Sequence, residues 1–69
     1  MKISARNVLK GTITEIVKGA TTSHVRIDIG GGAIATASIT NEAVADLKLE
    51  KVKQAYAVVK ASDVMVGID

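Results

Sequence analysis

From Val25 to Ile29 apolar and polar residues alternate strictly: Val25, Ile27 and Ile29 interleave with His24, Arg26 and Asp28. A period of two puts each set on its own face, so this stretch predicts a half-buried strand. Upstream, Ile3 to about Val17 is rich in Val, Ile, Leu and Thr and reads as one long extended segment. There Leu9, Gly11 and Ile13 share a face, and Val8, Lys10, Thr12 and Thr14 share the other. Gly11 inside this strand marks a bulge or a close backbone approach, which a small barrel needs in order to curl. The first piece, Ile3 to Asn7, is expected to pair with something other than the piece after it, with a neighbouring subunit as the obvious partner.

Residues 18–22 form the first turn. Gly30, Gly31 and Gly32 close a hairpin, because successive glycines tolerate the positive φ of tight turns. Ala33 to Ile39 is the return strand, and its alanine-rich face predicts close packing. Thr40 is a good N-cap for a short helix from about Asn41 to Leu47, with Glu42 in the first turn where an acid suits the helix dipole. Ala43, Val44 and Leu47 give the helix a narrow apolar stripe, enough to plug one end of a barrel. A charged connection, Lys48 to Lys53 around Leu49, leads to a fourth strand from about Gln54 to Lys60. Val64 to Ile68 predicts a fifth. The pattern is a single mainly β domain, residues 1–69, without repeat, linker or proline.

Composition narrows what such a domain can be. A chain of 69 residues buries only about 60% of its unfolded surface and is marginal by itself. Its apolar fraction is 48%, yet it has no Phe or Trp and a single Tyr, so the core is assembled from small aliphatic pieces. With no cysteine there is neither a disulfide framework nor a thiolate metal site. Oligomerisation is the remaining device, and an obligate homo-oligomer is expected. Nine basic residues against seven acidic ones give a net charge of +2, too mild for duplex DNA binding by charge but compatible with gathering small anions. No apolar run approaches the ~20 residues of a membrane span, and Lys2 is followed by no signal-peptide core. A cytoplasmic protein is expected.

Candidate chemistry concentrates near the two ends of the chain. Ser4 and Arg6 lie two apart and so share a face of an extended segment, as do Lys60 and Ser62. The rows offer a guanidinium, an ammonium and two hydroxyls, while Asp63 falls on the face opposite Ser62. Donors without a competing carboxylate are what a deprotonated oxyanion requires. The two rows are therefore read as converging on a small tetrahedral dianion. The backbone N–H groups of Gly19 and Ala20 could form an anion-binding nest. Thr40, primarily a cap, stands at a helix N-terminus, also a ready place for an anion.

Other chemistries find little here. His24 is alone on a polar face with no second ligand at metal-binding spacing. Gly30 to Gly32 precede a strand and lack the Gly-Lys-Ser/Thr ending of a P-loop. Asp28, Glu42 and Asp63 are scattered, with no carboxylates paired for acid–base work. An enzyme is not expected.

Ser4-Ala5-Arg6-Asn7, Glu15-Ile16-Val17-Lys18-Gly19-Ala20, Ser38-Ile39-Thr40 ahead of a short helix, and Val59-Lys60-Ala61-Ser62-Asp63-Val64-Met65 occur in this order. Together they resemble the Mop domain (a TOBE-type domain) of small stand-alone molybdate-binding proteins, the molbindins. The likeness covers essentially the whole chain. It implies a five-stranded barrel of the oligonucleotide/oligosaccharide-binding (OB) type with one short helix. It also implies a hexamer built as a trimer of dimers and cytoplasmic storage of molybdate or tungstate, with no organic cofactor. By the same resemblance Ser4 and Arg6 form one half of the oxyanion site, and Lys60 and Ser62 form the other across a subunit boundary. One departure stands out: Val52 occupies a turn position where the family usually has glycine.

Two rival readings exist. An OB barrel that binds single-stranded nucleic acid stacks bases on aromatic side chains over a basic groove, and one tyrosine makes no such platform. A regulatory or assembly module without a ligand of its own would be an appendage. With no Walker motif and no DNA-reading helix pair, a stand-alone protein is the expectation.

Overall fold

In a computed structural model describing residues 1–69, the elements are β1 (Asn7–Lys18), β2 (Thr22–Gly30), β3 (Ala33–Thr40), α1 (Asn41–Asp46) and β4 (Gln54–Val59). A single 3-10 turn, Ala61–Asp63, follows. The four strands form one antiparallel sheet in the order β3-β2-β1-β4, curled into a half-barrel. The mainly β fold with one short helix is the one anticipated. The fifth strand is not formed: Val64 to Ile68 have the alternation of a strand but no partner within the chain. β1 begins at Asn7 rather than Ile3, leaving residues 3–6 outside the sheet, and β4 ends one residue early, at Val59.

β1 is the hinge of the architecture because its two halves serve different neighbours. Asn7 to Thr12 pair with β4, and Thr12 to Lys18 pair with β2. At this hand-over stands Gly11, where a Cβ would overlap the carbonyl oxygen of Asp28 and lie 2.7 Å from Ile27 Cγ2. Just beyond, Ile13 pairs with Ile27 and Glu15 with Arg26, so Thr14 is an inserted bulge residue. The extra residue flips the side-chain parity: Gly11 and Ile13 face inward before it, and Ile16 does so after it. Gly11 thus supplies the close approach, and the bulge lies three residues further on.

Ile13, Val25 and Ile27 are buried at the centre, ringed by Ile16, Ile29, Ile39, Val44, Leu49, Ala55 and Ala57. Gly30, Gly31 and Gly32 adopt φ of 95°, 62° and 82°, and the Gly30 N–H donates to Asp28 Oδ1 (2.9 Å), closing the hairpin as anticipated. α1 is capped by Thr40, whose Oγ1 accepts from the Ala43 N–H at 3.0 Å, and Val44 seats it on the core. It ends at Asp46, one residue short of the anticipated Leu47, which is the C-cap.

The 47–53 connection is tied to the core strand by two backbone bonds: Ile13 N–H to Lys53 O (2.9 Å) and Val52 N–H to Ile13 O (2.7 Å). They hold Val52 at φ 74°, a left-handed conformation that glycine adopts freely and a β-branched residue does not. The family's glycine therefore has a physical reason, and valine here is strained. Its side chain is 74% exposed, so little packing is lost on removing it. Val52→Gly is expected to stabilise the chain by about 0.5–1 kcal/mol, the relief of left-handed strain less the entropy of glycine. For a domain of this size that is a rise of about 2–8 °C in Tm by thermal circular dichroism.

Candidate functional site

The β1–β4 ladder ends with Asn7 opposite Val59, and the Asn7 side-chain Nδ2 donates to Val59 O at 3.2 Å. Asn7 therefore fastens the strand ends together, as a backbone-ordering residue. Arg6 precedes β1 and Lys60 follows β4, each one residue beyond this last pair; Ser4 lies outside the sheet and Ser62 within the 3-10 turn, so Lys60 and Ser62 do not share the face of an extended strand as the spacing predicted. Both donor segments thus leave the sheet from the same end of the β1–β4 ladder. Long-range antiparallel pairing decides this, across 52 residues of sequence.

All four residues are exposed, and neither Arg6 nor Lys60 has an ion-pair partner. The one salt bridge joins Arg26 Nη1 to Glu15 Oε1 at 2.6 Å. It engages the only other guanidinium, and Arg6 and Lys60 are in no ion pair. Two cations that leave the same end of the sheet without acidic partners raise the positive potential there. His24 is exposed on β2, and no three of the His, Cys, Asp and Glu side chains converge.

The remaining donors gather at the opposite end of β1. Asn41 is the hub there. Its backbone N–H donates to Thr21 O (2.9 Å), and its Nδ2 donates to Gly19 O (3.0 Å) and Ala20 O (3.3 Å). Its Oδ1 accepts from Ser23 Oγ at 2.5 Å, and Ser23 is 1% exposed. This latch draws the Gly19-Ala20 turn against Thr40. It also corrects one detail of the nest: the Gly19 N–H is already given to Thr22 O at 2.8 Å, because it closes the turn. The Ala20 N–H carries no such bond.

Nothing local in the sequence marks Asn41, since its partners lie about twenty residues away. Asn41→Ala strands the buried Ser23 hydroxyl and should cost about 1–3 kcal/mol, read as a fall in the urea midpoint. The loosened turn should also weaken anion binding.

β1 has 12 residues, and its contour of about 40 Å at ~3.3 Å per residue is enough to run the 34 Å length of the molecule. The Arg6–Lys60 cluster and the Ala20–Thr40 cluster therefore cannot reach the same small ion within one chain.

Residues 3–66 match the model of the TOBE domain, and the chain belongs to that family. Among its relatives, the probable molybdenum-pterin-binding protein of Haemophilus influenzae is 49% identical, with all of both chains aligned. The high-resolution structure of a molybdate-binding protein from Sporomusa ovata superposes with a TM-score of 0.91 at 41% identity, covering 99% of this chain and 100% of that one. The cytoplasmic molybdate-binding protein ModG, in a form with molybdate bound, gives a TM-score of 0.93 at 42% identity. That match covers all of this chain and 49% of ModG. These are relatives of the kind the sequence resemblance implied.

Proposed function

We propose that this protein binds molybdate, and tungstate by the same chemistry, between copies of itself and without catalysis. It would act as a cytoplasmic buffer or store, in a hexamer arranged as a trimer of dimers. The observation that supports the reading is that Arg6 and Lys60, neither in an ion pair, leave the sheet from the same end of the β1–β4 ladder, with Ser4 and Ser62 two residues further along each segment. The printed names of the relatives, molybdenum-pterin-binding and molybdate-binding, support the choice of anion.

In this reading Arg6 makes charge-assisted hydrogen bonds to two of the anion's oxygens, a fork that lysine cannot copy. Lys60 supplies a point charge, and Ser4 and Ser62 supply neutral donors. From the facing end of a second copy come the Ala20 N–H and the Thr40 hydroxyl, whose hydrogen is free although its oxygen caps α1. Gly19 shapes the turn and contributes no amide hydrogen of its own.

The second copy also removes water. A dianion on an exposed single-chain cluster would interact through a high dielectric, whereas enclosure strengthens each contact several-fold. With no carboxylate in the set, a protonated phosphate has only hydroxyl oxygens to accept its hydrogen, whereas a fully deprotonated dianion can take a donor at every oxygen. Sulfate presents the same oxygens and must be distinguished by the size of the enclosed space.

Isothermal titration of the anion-free protein with molybdate, tungstate, sulfate and phosphate tests the reading. Saturable binding of molybdate and tungstate, with phosphate weakest, is the expected outcome; absence of molybdate binding at millimolar ligand refutes it.

A further inference from the structure

In an extended chain Asp63 would fall on the face opposite Ser62 and away from the donors. The chain turns there instead. Ala61–Asp63 form a 3-10 turn with Lys60 as its N-cap. The Asp63 N–H donates to Lys60 O at 2.9 Å, and the Val64 N–H donates to Ala61 O at 3.3 Å. A turn closed by such a bond holds its first and fourth Cα atoms within about 7 Å. An acid three residues after an N-cap can reach back over the first turn, and the lysine ammonium rides on a flexible four-carbon stem. Asp63 is thus within reach of Lys60.

Two further facts single this carboxylate out. Of the seven acidic residues, it is the only one in the segments that carry the donors, residues 1–7 and 60–63. Both Asp63 and Lys60 are exposed and in no ion pair, so neither is committed to another partner. Glu15, by contrast, is taken by Arg26, and Asp28 accepts from the Gly30 N–H.

We propose that Asp63 is an internal competitor for Lys60. In the anion-free protein its carboxylate attracts the ammonium, and an arriving dianion has to displace it. Two effects act in the same direction: the attraction that is given up, and the repulsion between the displaced carboxylate and the dianion. Asp63 therefore sets how tightly the oxyanion is held without touching it. A buffer has to release its cargo, and a carboxylate that returns to Lys60 as the ion leaves favours release. This inference rests on the oxyanion reading and adds to it a residue that restrains binding.

Asp63→Asn keeps the shape of the side chain and removes its charge. In isothermal titration at low salt it should tighten molybdate binding by about 2- to 10-fold, the range of a weak exposed charge interaction acting on a doubly charged ligand. Sulfate should gain by the same factor, because only charge has changed. In 1 M sodium chloride, where the Debye length is ~3 Å, the gain should vanish. Asp63→Glu retains the carboxylate and should stay within twofold of the parent. A purely structural part for Asp63 in the turn would move none of these in this pattern: Asp63→Asn would bind more weakly and melt lower, at either salt concentration. Unchanged or weaker molybdate binding by Asp63→Asn overturns the proposal. So does a loss confined to phosphate, which would make Asp63 the acceptor of a protonated anion's hydrogen. If Asp63→Asn does not fold, Asp63→Ser is read by the same criteria. A parent protein that binds no molybdate refutes the oxyanion reading and this inference with it, whereas a parent that binds while Asp63→Asn matches it refutes the competitor alone.

Discussion

Replacing Arg6 by alanine should weaken molybdate binding by about 10- to 150-fold, while His24→Ala leaves it within twofold. The arithmetic is that of one charged, bidentate donor: hydrogen bonds to charged groups contribute about 1.5–3 kcal/mol, and 1.4 kcal/mol is a factor of ten. Arg6 is the only guanidinium free for this work, since Arg26 is engaged by Glu15. Arg6→Lys should recover part of the loss at most, because an ammonium restores the charge without the fork. Arg6 is exposed and lies outside the sheet, so its removal should leave the Tm within about 2 °C. Titration calorimetry beside thermal melts separates the two effects. Equal losses for Arg6→Ala and His24→Ala would mean that the anion is held elsewhere.

The largest effect on stability is expected at Gly11. A Cβ at this position would overlap the backbone carbonyl of Asp28 and crowd Ile27 Cγ2 at 2.7 Å. The first neighbour is main chain of β2, held by pairs on both sides, and cannot rotate away as a side chain could. Relief requires β1 and β2 to separate where Ile13, Val25 and Ile27 form the whole buried core. Over-packing of this kind costs about 1–3 kcal/mol when neighbours adjust, and backbone overlap belongs at or above the top of that range. Since small domains hold only about 5 kcal/mol or little more, Gly11→Ala should lower the urea midpoint by half or more, or abolish soluble expression. A variant that melts within 2 °C of the parent would show that the two strands are not held this closely.

Both predictions turn on places where one residue's neighbours come from distant parts of the chain, and there the sequence was least legible. The alternation through Val25, Ile27 and Ile29, the glycine hairpin and the Thr40 cap are local, and each is found where its pattern put it. The special role of Gly11 was also readable, because a lone glycine in a strand has few other reasons to be there. The Thr14 bulge was not. A parity flip between Ile13 and Ile16 looks in sequence like an ordinary run of β-formers, and only the pairing with β2 reveals the inserted residue.

The site divides in the same way. The donor character of Ser4, Arg6, Lys60 and Ser62 follows from residue type and spacing. That both segments leave the same end of the sheet depends on the register of β1 with β4, which no local signal encodes. Asn41 looked like a routine first-turn residue, yet it clamps the turn whose amides the reading invoked. Val52 shows the converse case: a departure from the family pattern that becomes intelligible once its φ is known. The stretch from Val64 to Ile68 had the periodicity of a strand, and periodicity reports which face wants burial without saying whose sheet will bury it.

The central claim is that donors from opposite ends of β1 close on one ion only when two copies meet. Native mass spectrometry during a molybdate titration tests it most directly, because chain number and bound anions are read in the same spectrum. The account predicts molybdate adducts confined to species of two or more chains, with the single 7.1 kDa chain remaining free of ligand at every concentration that saturates the oligomer. Stoichiometric molybdate on the isolated single chain would contradict it.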